Sequence, residues 1–75
     1  MDEIIWSSRA LKDANAIFTY ISLDSTFYAK KWLLNVDERI IILLTHPRIG
    51  RVVPEIKKNE IREIFDGDYR IMYKI

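Results

Sequence analysis

Arg51, Arg62, Arg70 and Lys74 are the residues of this chain best suited to hold an anion. A planar guanidinium grips two oxygens of a phosphate or a carboxylate at once. Arginines recurring through one short stretch are therefore candidate contacts to nucleic acid or to an acidic segment of another protein. The same residues also read as ordinary strand arginines paired with Glu63, Asp66 or Asp68, and surface pairs of that kind contribute only about 0–1 kcal/mol. For Arg51, which follows Gly50, fixing the loop against the helices is an equal reading.

Other chemistry is sparse. His46 is the single histidine and the one obvious proton shuttle near neutral pH, but it falls at an expected helix C-terminus, where an imidazole interacts well with the helix dipole. Asp66 and Asp68 flank Gly67; paired carboxylates can divide acid and base roles when their environments separate them, whereas on a hairpin tip both are solvated and serve the turn. One histidine and no cysteine argue against a structural zinc site. No Gly-rich phosphate loop or Ser/His/Asp arrangement is visible, so no cofactor or metal is expected.

The chain has 75 residues, 49% of them hydrophobic and 31% charged, which suits one small folded domain rather than a disordered tail. Its net charge of +1 argues against generic nucleic-acid binding. The distribution is less even: from Arg48 onward seven Lys or Arg meet five Asp or Glu, while before it five meet six. The absence of cysteine fits a reducing, cytoplasmic home. Asp2 and Glu3 are the wrong charge for a signal peptide, and no apolar run approaches the ~20 residues of a membrane helix.

These residues need elements to place them. Ile4-Ile5-Trp6 suits a brief strand at residues 3 to 6 that stops at the N-cap pair Ser7-Ser8. Leu11, Ala14, Ile17, Phe18 and Ile21 share one face of a first helix over about Ser8 to Ser22. Asp24 or Ser25 caps a second helix, whose apolar positions Ala29, Trp32, Leu33, Val36, Ile40, Leu43 and Leu44 continue to Thr45-His46-Pro47. So short a link makes an antiparallel helical hairpin. Residues 47 to 60 read as a loop with a turn around Ile49-Gly50. Two segments rich in β-branched and aromatic residues, 61 to 65 and 69 to 75, flank Asp66-Gly67-Asp68 as a β-hairpin. In the last strand Tyr69, Ile71, Tyr73 and Ile75 form an apolar face towards the helices, with Arg70, Met72 and Lys74 opposite. In the preceding strand Ile61, Glu63 and Phe65 oppose Arg62 and Ile64, and the pattern leaves its core face open. Trp32, Phe18 and Tyr28 read as core or partner contacts. The fold class is α+β: an N-terminal strand, then an antiparallel helical hairpin packed on a small antiparallel sheet.

Taken together, Ala10-Leu11-Lys12-Asp13, Ile17-Phe18-Thr19-Tyr20-Ile21, His46-Pro47-Arg48-Ile49-Gly50-Arg51, Pro54-Glu55, Ile61-Arg62-Glu63 and Tyr69-Arg70-Ile71-Met72-Tyr73 occur in an order that resembles the RelE/ParE family of toxins from type II toxin–antitoxin, or plasmid-stabilisation, pairs. The resemblance covers nearly all of residues 1–75 as a single toxin domain. It implies a cognate antitoxin partner and one of two activities: ParE-like inhibition of DNA gyrase, or RelE-like cleavage of mRNA on the ribosome. The ParE-like branch is favoured, because the ribonucleases carry lysines where this chain has Ile61, Arg62 and Glu63, and a carboxylate at Glu63 would repel a phosphate. Arg70 matches a family arginine that contacts phosphate in the ribonucleases, which the resemblance makes the candidate catalytic residue, and gyrase inhibitors can carry one there too.

A hydrophobic last strand leaves an open edge, a state natural proteins usually avoid. The expectation is that the family's last strand and tail lie beyond Ile75, in which case a third alternative is an inactive, antitoxin-binding remnant. Antitoxin or target contacts are expected at Arg51, Arg62, Arg70 and Lys74. A homodimer is a further expectation.

Overall fold

The computed structural model describes residues 3–75. Helix α1 spans Ser8–Ser22 and α2 spans Thr26–Thr45, followed by three strands, β1 (Arg51–Val52), β2 (Ile61–Asp66) and β3 (Tyr69–Lys74). The strands form one antiparallel sheet in the order β1-β2-β3. The architecture is two helices on a small three-stranded antiparallel sheet, the α+β class that the sequence implies.

Both helices begin where a serine can satisfy a free backbone N–H. Ser7 accepts from the Ala10 N–H at 3.0 Å and Ser25 from the Tyr28 N–H at 3.2 Å. The α2 helix ends at His46, whose backbone N–H donates to the Ile42 carbonyl just before Pro47. The imidazole Nδ1 lies 2.9 Å from the Thr45 hydroxyl. At the hairpin, Asp66 pairs with Tyr69, so Gly67 and Asp68 form a two-residue loop. Gly67 takes φ +59°, the left-handed conformation that only glycine adopts freely.

The buried apolar residues are Ala29, Val36, Ile40 and Leu43 on α2, together with Val53. Their spacing on α2 makes a single stripe along one side of a helix that packs on α1 and on β2. Two contacts anchor α2 to the hairpin tip: Trp32 packs edge-on against Tyr69 at 5.7 Å between ring centroids, and Arg39 Nε donates to Asp66 at 3.1 Å. Tyr69, Ile71 and Tyr73 are half-buried while Arg70, Met72 and Lys74 are exposed, as the alternation in β3 predicts. The face of β2 that the pattern leaves open is settled by register: Arg62, Ile64 and Asp66 share a side with Tyr73, Ile71 and Tyr69, and so look towards the helices.

Two expectations need correction. Residues 3–6 form no strand. Ile4 and Trp6 are half-buried and Ile5 is exposed, the alternation a strand would show, yet no backbone ladder joins them to β3 among the described residues. The reason lies in α1, which packs on α2 and not on the sheet. The segment leading into α1 is held across a gap from β3. The second correction concerns residues 47–60, which are not all loop. Arg51 and Val52 pair with Glu63 and Arg62 as β1. Two residues followed by Pro54 are too short to show any period.

That same gap leaves α1 with no fully buried residue, and Leu11 is exposed despite its place on the apolar face. A groove of about 920 Å³ runs between α1 and β3, with Ile4, Trp6, Ile17, Trp32, Ile71 and Tyr73 along its walls. Buried in this region, the indole Nε1 of Trp32 has no hydrogen-bond partner among the described residues.

Candidate functional site

The sheet face that looks away from the helices carries the basic residues. Cross-strand register places Arg51 beside Glu63, Glu63 beside Met72, Phe65 beside Arg70, and Ile61 beside Lys74. Cross-strand partners share a face. Arg51, Arg70 and Lys74 therefore stand with Phe65 and Met72 on one surface, and all five are exposed.

Glu63 is the centre of this surface and is only 1% exposed. A buried carboxylate is costly unless it is paired and hydrogen-bonded. Both of its oxygens are engaged: Oε2 accepts from Arg51 Nε at 2.6 Å and Oε1 from Arg70 Nη1 at 3.2 Å. The same Arg70 nitrogen donates to Glu55 Oε2 at 2.8 Å. Arg51 also lies over the Phe65 ring, 5.5 Å from its centroid, a favourable cation–π placement. The result is a chain of alternating charge, Arg51–Glu63–Arg70–Glu55, that holds two guanidiniums at fixed positions. The hydrogen bond from Arg70 holds the Glu55 carboxyl below its ordinary value of 4.5, and the same bond raises Arg70.

Electrostatically, Glu63 does not act as a bare negative charge on this face. Its charge is buried and answered by two arginines, while both arginine side chains stay partly exposed and keep further N–H donors without a hydrogen-bond partner among the described residues. The face can receive a carboxylate or a phosphate, and Phe65 and Met72 add apolar contact beside it.

Arg62 is placed elsewhere. It lies on the helix side of β2, half-buried, and donates to the carbonyls of Asn59, Arg48 and Gly50 and to the Asn59 side chain at 2.8–3.3 Å. Its guanidinium ties together the two ends of the loop before β2. The structure thus brings Arg51, Arg70 and Lys74 onto one surface and leaves Arg62 out of it.

The positions of Arg51 and Glu63 depend on a tight bend. The Tyr73 hydroxyl donates to the Pro47 carbonyl at 2.6 Å and accepts from the Gly50 N–H at 3.0 Å. A Cβ at Gly50 would stand 2.6 Å from both the Glu63 carbonyl and the Tyr73 hydroxyl. Only glycine lets these three segments approach so closely. Glu55 was the part of the site not singled out in advance as a contact; its separation of fifteen residues from Arg70 left no local pattern to read.

The Asp66 and Asp68 pair does not act together. Asp66 is half-buried against Arg39, while Asp68 is exposed in the turn. Among the described residues no group of three His, Cys, Asp or Glu side chains could hold a metal ion, and no helix is long and apolar enough to cross a membrane.

Comparison with known proteins returned one finding. No curated protein and no solved structure matches the chain. The family model described as ParE toxin of type II toxin-antitoxin system, parDE, matches residues 4–75, a span that includes both helices, the arginine-clasped carboxylate and all three strands. The chain belongs to the ParE toxin family of type II toxin–antitoxin systems.

Proposed function

We propose that this toxin acts in the cytoplasm by binding a protein target, DNA gyrase, through the outer face of its sheet, and that a cognate antitoxin silences it. The observation that carries this reading is the Arg51–Glu63–Arg70 clasp. It fixes two guanidiniums beside Phe65 and Met72, a mixture of charge and apolar surface of the kind enriched in protein interfaces. Both Glu63 oxygens accept from arginines and the side chain is buried, so that carboxylate is not presented to a reacting group at the surface. Obstruction by surface fit, rather than acid–base chemistry, is the mechanism these features support.

Antitoxin binding is supported at the groove. Among the described residues the outer edge of β3 has no neighbouring strand, and an unpaired edge is a template for strand addition. The groove beside it is lined by apolar side chains, Ile17, Trp32 and Ile71 among them. An antitoxin segment that adds a strand to β3 and places apolar residues against Ile17 and Ile71 would cover both the edge and the groove.

One observation favours the ribonuclease reading as a second. The charge of Glu63 is answered by Arg51 and Arg70, so its repulsion of phosphate is weaker than the bare sequence implies. Purified chain added to gyrase supercoiling assays and to translating ribosomes separates the two. Loss of supercoiling that disappears in an Arg51→Ala/Arg70→Ala variant of native helicity supports the proposal. Cut mRNA with intact supercoiling replaces it with the second reading, and no effect on either, or on bacterial growth, leaves a binding-only protein.

A further inference from the structure

We infer that two copies of this chain pair through the outer side of α2, antiparallel and related by a two-fold axis at Leu34. The stripe in question is Phe27, Leu34 and Ile41, which are 68%, 62% and 60% exposed. Residues seven apart lie on nearly the same line of an α-helix, two turns or about 10 Å from one another. This line runs along the side of α2 opposite the buried residues Ala29, Val36, Ile40 and Leu43. The α1 helix and the sheet therefore leave it uncovered.

Charge along the stripe identifies the occupant. Between Phe27 and Leu34 stand Lys30 and Lys31, and between Leu34 and Ile41 stand Asp37 and Glu38, all four exposed. Among the described residues none of the four side chains has an ion pair or hydrogen bond within the chain. The order of residues is symmetric about Leu34. Rotating a second copy about an axis at that residue sets Phe27 against the other copy's Ile41. On one flank Lys30 then meets Asp37 of the second copy, and on the other Lys31 meets Glu38, with both contacts repeated in reverse. Self-complementarity of this sort is what a two-fold interface requires. A parallel arrangement would oppose lysine to lysine. A uniformly acidic or basic helix from another protein would match only half of the stripe. The groove and the arginine face both lie away from this surface, so a dimer leaves them open.

The chain contains no cysteine, which makes the geometry directly testable. Light scattering or sedimentation of the wild-type chain over about 1 µM to 1 mM should show a dimer, and Leu34→Glu, which brings two carboxylates together on the axis, should be a monomer with an unchanged far-UV circular dichroism spectrum. Oxidation should cross-link Leu34→Cys to a disulfide dimer but leave Phe27→Cys unlinked, because those two positions would stand about 20 Å apart. Lys30→Glu/Lys31→Glu and Asp37→Lys/Glu38→Lys should each be monomeric alone and dimeric when mixed. A wild-type chain that stays monomeric throughout, a Leu34→Glu chain that stays dimeric, or reversed-charge chains that do not pair on mixing would each overturn the inference. Loss of antitoxin capture in Leu34→Glu, from a wild type that is monomeric, would assign the stripe to the antitoxin instead.

Discussion

Arg51 and Glu63 face each other as register partners across β1 and β2 and close that pairing with a 2.6 Å contact between Nε and Oε2. A two-residue strand has little ladder of its own, so this side-chain contact adds to the Arg62 and Tyr73 hydrogen bonds that hold β1 and the bend before it against the sheet. Replacing Glu63 with Gln removes the shared anion but keeps the volume. Removing one partner of a buried pair costs most when a charge is stranded; here the arginines left behind are exposed enough to rehydrate. The expected loss is about 1–3 kcal/mol, read from urea unfolding. A change below about 0.5 kcal/mol would show that the clasp does not stabilise the sheet.

Arg70 and Glu55 give a pH dependence with a defined sign. The carboxyl sits below its ordinary value of 4.5 in the folded chain because Arg70 donates to it. A depressed carboxylate favours the folded state at pH values above its unfolded value, and that contribution is lost as pH falls through the folded value. The pair should thus hold above about 4.5 and release below it. An NMR titration of the Glu55 carboxyl carbon should give a midpoint below 4.5, and Arg70→Ala should move it upward; an unmoved midpoint would separate the two residues in solution.

Gly50 tolerates no side chain. An added Cβ would meet the Glu63 carbonyl and the Tyr73 hydroxyl, each at 2.6 Å. Overpacking of this sort costs typically about 1–3 kcal/mol, and Gly50→Ala should lower the thermal midpoint accordingly. Tyr73→Phe, which deletes the bonds to Pro47 and Gly50, should cost about 1–2 kcal/mol. Additive losses in the double variant would contradict the shared contact.

Arg62 and Arg51 should part company in function. Arg62 spends its donors on the carbonyls of the loop, so Arg62→Ala should lower stability by about 1–3 kcal/mol. The purified folded fraction should keep its affinity for target or antitoxin. Arg51→Ala should weaken target binding as well as lower stability, because it leaves the buried Glu63 with Arg70 as its remaining partner. Calorimetric titration of both variants decides between these assignments.

Much of this was legible in advance where local chemistry governs. Ser7, Ser25 and Pro47 mark the helix ends because capping and the missing proline N–H act within one turn. Gly67 marks the hairpin because few other residues adopt its φ. The alternation from Tyr69 to Lys74 shows which side of β3 meets the helices. What stayed hidden depends on distance along the chain. Glu63 resembles an exposed repulsive charge until Arg51 and Arg70, twelve and seven residues away, fold over it. Arg62 looks like its neighbours in type and exposure until three carbonyls of one loop converge on it. The N-terminal Ile4-Ile5-Trp6 has the composition of a strand and lacks only a neighbour within reach, a matter decided by where α1 docks.

That docking has a mechanical consequence. Because α1 leans on α2 alone and α2 reaches the sheet through β2 and the hairpin tip, the molecule resembles an open book whose spine is α2. On the proposed reading, a guest between the covers would touch the side of β3 that carries Tyr69, Ile71 and Tyr73, while the guanidinium lattice stands on the opposite side of the sheet, so the two surfaces lie back to back across one layer of strands.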